Sequence, residues 1–550
     1  MKKLFLFLTI LVFGCVAATK TITQTTAKPS EAPPQYNILF IAVDDLKPYI
    51  NSFGYKEVKT PNLDKLAQVS TIFNANYCQQ AVCAPTRASL LTGVRPDKTQ
   101  VWDLQTLIRD KNPDIVTLPQ YLKANGYVTS AMGKIFDPRS VDKDHDAVSW
   151  SVPYKNKFKY PAGYEDIVIE AYQSPEMKAK FKELQAQREA RKNGTKDKNQ
   201  DFDNPKITRD DIKVTTESAD VPDNAYFDGV MTDYAIKQLK AQKGATQPFF
   251  MAVGFHKPHL PFVAPKKYWD MYDRNSIKLA KWQKKSIDGP DVAYHNAGEV
   301  RGFKDVAELM KGTEGKKSDL LNLPIDKQKE LIHGYYACIS YVDAQVGRLM
   351  DALKAEGLDK NTIIVFWGDH GWHLGDHSLW AKHSNFEQAA KAPLMFTVPN
   401  VTKGTVYNKP TEFVDIFATL CELTGLPIPT YLDGKSLVPA MKDNKVKIKD
   451  YAISQYPRGG AAGTEGRNIM GYSLRNERYR YTEWLGSKFT TAQPFNEKLI
   501  TATELYDLVN DPDETTNLAN KPEMKKQVKE LAGLLHDYYK QQYETAGKIK

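Results

Sequence analysis

Chemistry in this sequence concentrates in a few short stretches. Cys83-Ala84-Pro85-Thr86-Arg87 runs on to Leu91-Thr92-Gly93. Pro85 suits the first turn of a helix, which predicts Cys83 at a helix N-terminus, where free N–H groups favour anions. Arg87, one turn on, is spaced to ion-pair with the same group. The bland alternative is a structural cysteine ahead of a capped helix. Asp44-Asp45 and Gly368-Asp369-His370-Gly371 supply carboxylates. Acids gathered in one pocket repel each other and call for a cation. An oxygen-dominated set suits Ca²⁺ or Mg²⁺, and flexible coordination favours Ca²⁺. Taken alone, two aspartates after a strand would be a cap or a turn. Gly133-Lys134, Phe255-His256-Lys257-Pro258-His259 and Trp380-Ala381-Lys382-His383 complete the set. Isolated, such residues mean little; beside an acidic metal site they are anion binders and proton donors.

Each stretch follows an apolar run. Residues 37–43 lead into Asp44-Asp45, 127–132 into Gly133-Lys134, 249–253 into Gly254-Phe255-His256, and 363–367 into Gly368-Asp369-His370. The runs are continuous rather than alternating. That predicts strands buried on both faces, hence an α/β fold with a largely parallel sheet between helices. Helical patterns lie between them at 63–69, 225–241 and 327–354. Ligands of open α/β sheets bind beyond the carboxyl ends of the strands. Four strand ends delivering Asp44, Asp45, Lys134, His256, Asp369 and His370 therefore predict one composite site. Beyond residue 445 the pattern turns to short alternating segments and a closing amphipathic helix at 524–543. This predicts a smaller C-terminal α+β subdomain over 446–550 after a main domain at 36–445. Residues 153–223 form a Lys-rich insertion with a helix start at Ser174-Pro175-Glu176.

The 550 residues are 41% hydrophobic and 26% charged, a composition that folds rather than stays disordered. The net charge of +9 comes without a dense Lys/Arg face interleaved with aromatics, so nucleic acid is not expected as a partner. The excess suits an anionic substrate. Met1-Lys2-Lys3 precedes a short apolar run to Gly14, which reads as an export signal over 1–18. Leu11-Val12-Phe13-Gly14-Cys15 resembles a bacterial lipobox, with Phe13 unusual in it; the rival reading is cleavage after Val16-Ala17-Ala18. Residues 19–35 read as a flexible tether. The expected location is outside the cytoplasm: periplasmic, at the cell surface through a lipid anchor, or secreted. Five cysteines do not make a disulfide scaffold. Cys338 and Cys421 read as core residues. Cys78 could pair with Cys83, but not if Cys83 is catalytic.

Together and in this order, the motifs resemble the sulfatase family of the alkaline-phosphatase-like fold. The likeness runs from Asn37 through nearly the whole chain. It takes in Gln79-Gln80-Ala81-Val82 ahead of Cys83, Ser454-Gln455-Tyr456-Pro457-Arg458, Met470-Gly471-Tyr472-Ser473 and Glu504-Leu505-Tyr506-Asp507-Leu508; the insertion matches poorly. In that family Cys-x-Pro-Ser/Thr-Arg is read by a formylglycine-generating enzyme, which oxidises the cysteine to formylglycine (3-oxoalanine). The resemblance implies one Ca²⁺ per chain, held by Asp44, Asp45, Asp369, His370 and formylglycine at Cys83. It implies that Arg87, Lys134, His256 and Lys382 hold sulfate and handle protons. One position departs: three residues after Lys134 the family usually has His, and here stands Asp137. Either Asp137 takes over that role in releasing sulfate or another histidine moves in. The likeness is strongest to the branch acting at position 2 of iduronate. That implies a 2-O-sulfated uronic acid, or a similar sulfated sugar, in oligosaccharides cut from sulfated polysaccharides. His259, Trp372, His373 and Arg458 are the candidate substrate contacts. Two rivals stand: a phosphoester or phosphonate hydrolase of the same fold, and a non-catalytic carbohydrate-binding surface lipoprotein.

Overall fold

A computed structural model describes residues 36–164, 172–194, 213–310, 320–458, 469–486 and 494–545. The leader, lipobox and tether expected over 1–35 lie outside these residues, as does part of the insertion at 153–223.

Seven strands form the central sheet: β1 (Asn37–Val43), β2 (Thr71–Phe73), β3 (Val128–Gly133), β4 (Phe249–Phe255), β5 (Thr362–Gly368), β6 (Leu394–Thr397) and β7 (Thr405–Tyr407), in the order β7-β2-β6-β5-β1-β4-β3. The four strands that the apolar runs predict, β5, β1, β4 and β3, are contiguous and mutually parallel. The sheet is mixed because β6 runs antiparallel to both β5 and β2.

Both faces of the sheet are buried, as continuous apolar strands require. In β1, Leu39, Ile41 and Val43 join one core and Ile38, Phe40 and Ala42 the other. The first core is closed by α3 (Ile325–Ala355), which buries Leu331, Tyr335, Val342, Val346, Leu349 and Leu353 at helical spacing, and by α2 (Phe227–Ala241). The second takes in Ala88, Leu90 and Leu91 from α1 (Cys83–Thr92). Each fully buried Leu in these layers contributes about 1.5–3 kcal/mol as an upper estimate.

The C-terminal part is an antiparallel sheet of β8 (Ala452–Arg458), β9 (Ile469–Arg475), β10 (Tyr479–Leu485) and β11 (Ile500–Asp507), paired in sequence order. Helix α4 (Lys525–Thr545) lays Leu531, Leu535, Tyr538 and Tyr539 on it. Its edge strand β8 reaches the main sheet side, where Gln455 N donates to Gln79 O at 2.8 Å. No helix among the described residues is long and apolar enough to cross a membrane.

Candidate active site

The ends of β1, β4 and β5 are stitched together by backbone bonds. Asp44 N donates to Phe255 O (3.1 Å), and Asp369 N to Val43 O (3.2 Å). Asp45 turns the chain with a left-handed φ of 60°. That conformation costs little for aspartate, and it lets the Asp45 N–H reach Asp369 Oδ1 at 2.9 Å. On the neighbouring strands, Gly133 pairs with Gly254. A Cβ at Gly133, where φ is 76°, would stand 2.1 Å from Gly254 O, so only glycine lets these backbones approach. The approach allows Lys134 N to donate to Gly254 O (2.9 Å) and sets the Lys134 side chain beside Asp44.

Cys83 is the first residue of α1. Its Sγ lies 3.5 Å from His370 Nε2 and 3.9 Å from Asp45 Oδ1. His370 Nε2 is 3.4 Å from Asp45 Oδ1 and 3.6 Å from Asp369 Oδ2. Asp45, Cys83, Asp369 and His370 are fully buried, and each offers a ligand atom within 4.8 Å of the others. His370 Nδ1 sits 3.0 Å from Gly371 O. That contact fixes the tautomer with Nδ1–H donating, which leaves the Nε2 lone pair facing the carboxylates, as a metal-binding imidazole requires. The Asp45 and Asp369 oxygens with one imidazole fit a hard divalent cation once an oxygen stands in place of the Cys83 sulfur.

Basic side chains surround the acids. Arg87 is buried; its Nη2 reaches Asp44 Oδ1 at 3.0 Å and Asp369 Oδ2 at 3.0 Å, and its Nε donates to Asp369 Oδ2 at 3.1 Å. Its Nη1 donates to the carbonyls of Lys134 and Ile135. Lys134 Nζ donates to Asp44 Oδ2 (2.6 Å). Lys382 Nζ lies 3.0 Å from both Asp45 oxygens and 2.8 Å from Glu299 Oε1. Burial pushes the Asp44 carboxyl up, but Lys134 and Arg87 outweigh it and hold it well below the usual range. Burial, with only Lys382 in opposition and acids around it, pushes Asp45 up. Asp44, Asp45, Asp369 and Glu299 are thus four carboxylates facing three cations, a balance that leaves room for a metal charge. Burial also pushes the Cys83 thiol up, with Asp44 adding to it, so an unmodified thiol here is protonated and a poor nucleophile.

His256 stacks on Phe227 (ring centroids 4.1 Å apart), and its backbone N–H donates to Asp228 Oδ1 at 2.8 Å. Burial pulls its imidazole down to about 3, leaving it neutral. His259 Nε2 sits 3.3 Å from Glu299 Oε1 and 3.7 Å from Asp45 Oδ2. A cavity of about 530 Å³ opens from Asp44, Lys134, His256 and His259 toward Arg139 and His145. The fold thus brings together Asp44, Asp45, Cys83, Arg87, Lys134, His256, His259, Asp369, His370 and Lys382. Asp137 is buried beside them, 3.6 Å from Lys134 Nζ, in a two-pronged pair with Arg139.

The outer candidates are placed differently. Trp372 is buried against Tyr335, with Lys382 Nζ 4.9 Å above its ring. His373 is buried and contacts Ser384 Oγ at 2.8 Å through Nε2. Arg458 donates to the carbonyls of Val292 (2.9 Å) and Ala293 (3.0 Å). Three members of the site carried no motif: Glu299 on the short helix Gly298–Arg301, Asp228 at the start of α2, and Tyr335, whose hydroxyl donates to Asp45 O at 2.6 Å.

Comparison with known proteins agrees with this geometry. A family model described as Sulfatase matches residues 36–426, and one described as N-sulphoglucosamine sulphohydrolase, C-terminal, matches 375–541. The chain is 33% identical to mouse iduronate 2-sulfatase, covering 93% of this chain and 95% of the relative, and 34% identical to the human protein, covering 88% and 91%. A solved structure of a protein in complex with its substrate D-glucosamine-2-N,6-O-disulfate superposes with a TM-score of 0.66 at 20% identity, over 93% of this chain and 99% of that one. The last likeness speaks for the fold, while the family match and the two relatives go further: the chain belongs to the sulfatase family and is a sulfuric ester hydrolase.

Proposed function

We propose that the protein is an exported, calcium-dependent sulfatase that carries Cys83 as formylglycine and cleaves the 2-O-sulfate of a uronic acid in sulfated oligosaccharides. The observation that carries the reading is the buried cluster of Asp45, Cys83, Asp369 and His370, with Arg87, Lys134 and Lys382 around it. Asp44, Asp45, Asp369 and His370 would hold the cation. When in place, the hydrated aldehyde supplies the nucleophile and the cation supplies positive charge beside it.

The chain's own residues account for the rest. Arg87 holds Asp44 and Asp369 in position at the head of α1 and keeps its charge, since Asp369 and Asp44 outweigh burial and push it up. Lys134 and Lys382 bring fixed cationic N–H donors to the edge of the cluster, where a sulfate ester accumulates negative charge. Lys382 is pushed up by Asp45 and Glu299 against the pull of burial, so it carries a proton at neutral pH and is the donor for the departing sugar oxygen. His256, neutral, is an acceptor or a neutral hydrogen-bond donor.

Uronate specificity draws its support from the likeness to iduronate 2-sulfatases over nearly the whole chain. Export draws on the apolar leader and the lipobox-like Cys15, and maturation calls for a formylglycine-generating enzyme as partner. The test is sulfate release from defined 2-O-, 4-O- and 6-O-sulfated sugars. Fastest release from the 2-O-sulfated uronate supports the reading; faster release from 4-O- or 6-O-sulfated neutral sugars overturns the uronate part alone.

A further inference from the structure

The cavity beside the acidic cluster is larger than a sulfate group needs, and Arg139 adds a further cation to its lining. Pro138, Arg139, His145 and Asn156 line it together with Lys134 and His256. Arg139 is an exposed residue on a loop, yet its guanidinium is fixed. Asp137, fully buried, accepts from Arg139 Nε through Oδ1 (2.9 Å) and from Nη2 through Oδ2 (2.8 Å), and Oδ1 also accepts from the Arg139 backbone N–H (3.0 Å). Such a fork-to-fork pair defines the plane of the guanidinium. It uses one edge and leaves Nη1 without a partner among the described residues. The same carboxylate stands 3.6 Å from Lys134 Nζ, so one buried acid ties the sulfate-side cation to the outer one. Beside it, the ring of His145 is stacked on Tyr154 (centroids 4.3 Å apart) and lies within 2.6 Å of Asn156 Nδ2 through Nε2, which makes a firm polar wall.

A surface arginine would ordinarily lose rotamer entropy on gripping a ligand. Here the loss is already met by Asp137, so a second anion finds a preorganised donor. We propose that Arg139, positioned by Asp137, receives a second anionic group, a carboxylate or a second sulfate, on the sugar whose sulfate ester is cut. The proposal rests on the sugar-sulfatase reading and assigns the residue that meets the second anion of its substrate. It also gives Asp137 a role: the residue acts through Arg139 and Lys134 rather than by carrying a proton, because its charge is committed to both.

The experiment compares kcat and KM of the mature, metal-loaded, full-length enzyme on three substrates: a sulfated neutral sugar, a 2-O-sulfated hexuronate, and a disulfated neutral sugar. Arg139→Gln should lower kcat/KM on a dianionic substrate relative to the monoanionic one by roughly 10- to 100-fold, mostly through KM, as expected for loss of a charged hydrogen-bond pair. A loss confined to the hexuronate assigns the carboxylate, and one confined to the disulfated sugar assigns the second sulfate. Arg139→Lys, which keeps the charge and loses the fork, should move the same ratio less, and it serves alone if the Gln variant does not fold. Asp137→Asn should move the ratio in the same direction. An equal change on all three substrates, or none, overturns the proposal. Failure of the wild type to release sulfate from any of them defeats the sulfatase reading, and the proposal with it.

Discussion

Replacing Arg87 by Met removes a buried cation of similar length from between two buried acids. Asp44 keeps Lys134 at 2.6 Å. Asp369 fares worse: Oδ1 still accepts from the N–H groups of Asp45 and His370, but Oδ2 loses both Arg87 donors at 3.0–3.1 Å. Breaking a buried pair by removing one partner costs about 3–5 kcal/mol. The unfolding entropy of a chain this size is on the order of 1 kcal/mol/K near the transition, so the loss corresponds to a Tm about 3–5 °C lower. Calorimetry of the wild type and Arg87→Met in chelator at neutral pH measures it. Added calcium should raise the Tm of both, because a cation that binds only the folded acids stabilises by mass action. An Arg87→Met protein that melts with the wild type in chelator would show that Asp44 and Asp369 do not need this counter-charge, and the electrostatic account of the site would fail.

The peptide containing Cys83, from protein made with a formylglycine-generating enzyme, should be about 18 Da lighter than its cysteine form, where thiol oxidation would instead add mass; fully active enzyme with intact cysteine contradicts this. Asp369→Asn should lose bound calcium, measured by elemental analysis against one ion per wild-type chain, and should lose turnover while staying folded. The Asp137 carboxyl is pushed up by burial, but the hydrogen bonds of Arg139 and the charge of Lys134 outweigh that and hold it well below the usual range. That stabilisation is present above the unfolded value of ~3.9 and is lost as pH falls through the folded value. Asp137→Asn should therefore lower the Tm at pH 7, and the gap to wild type should narrow as the pH drops below about 4; a gap constant with pH would contradict it.

The inner site was legible because its residues sit where chain geometry is simplest. A continuous apolar run ends and the next residue faces the crevice, which places Asp44, Lys134, His256 and Asp369 on contiguous parallel strands. Cys83 opens α1, as Pro85 two residues on foretells. Strand β6 is harder to read: four residues close behind Pro393 carry no direction, and its antiparallel course follows from the loop that returns from β5. Glu299 could not be found, because its meaning comes from Lys382, 83 positions away. Trp372 and His373 stand beside a motif yet are buried, since the turn after Asp369 aims them into the core. Asp137 is legible from its spacing after Lys134, but its pairing with Arg139, two residues on, is visible only in the fold.

The central claim is that this buried cluster breaks sulfate esters. Ion chromatography of free sulfate after incubation of the mature enzyme with a 2-O-sulfated uronate oligosaccharide, beside Cys83→Ala, tests it directly. The account predicts stoichiometric sulfate release by the wild type and none by Cys83→Ala. Equal release by both proteins, or an intact sulfate ester alongside rapid cleavage of a phosphonate monoester, would contradict it.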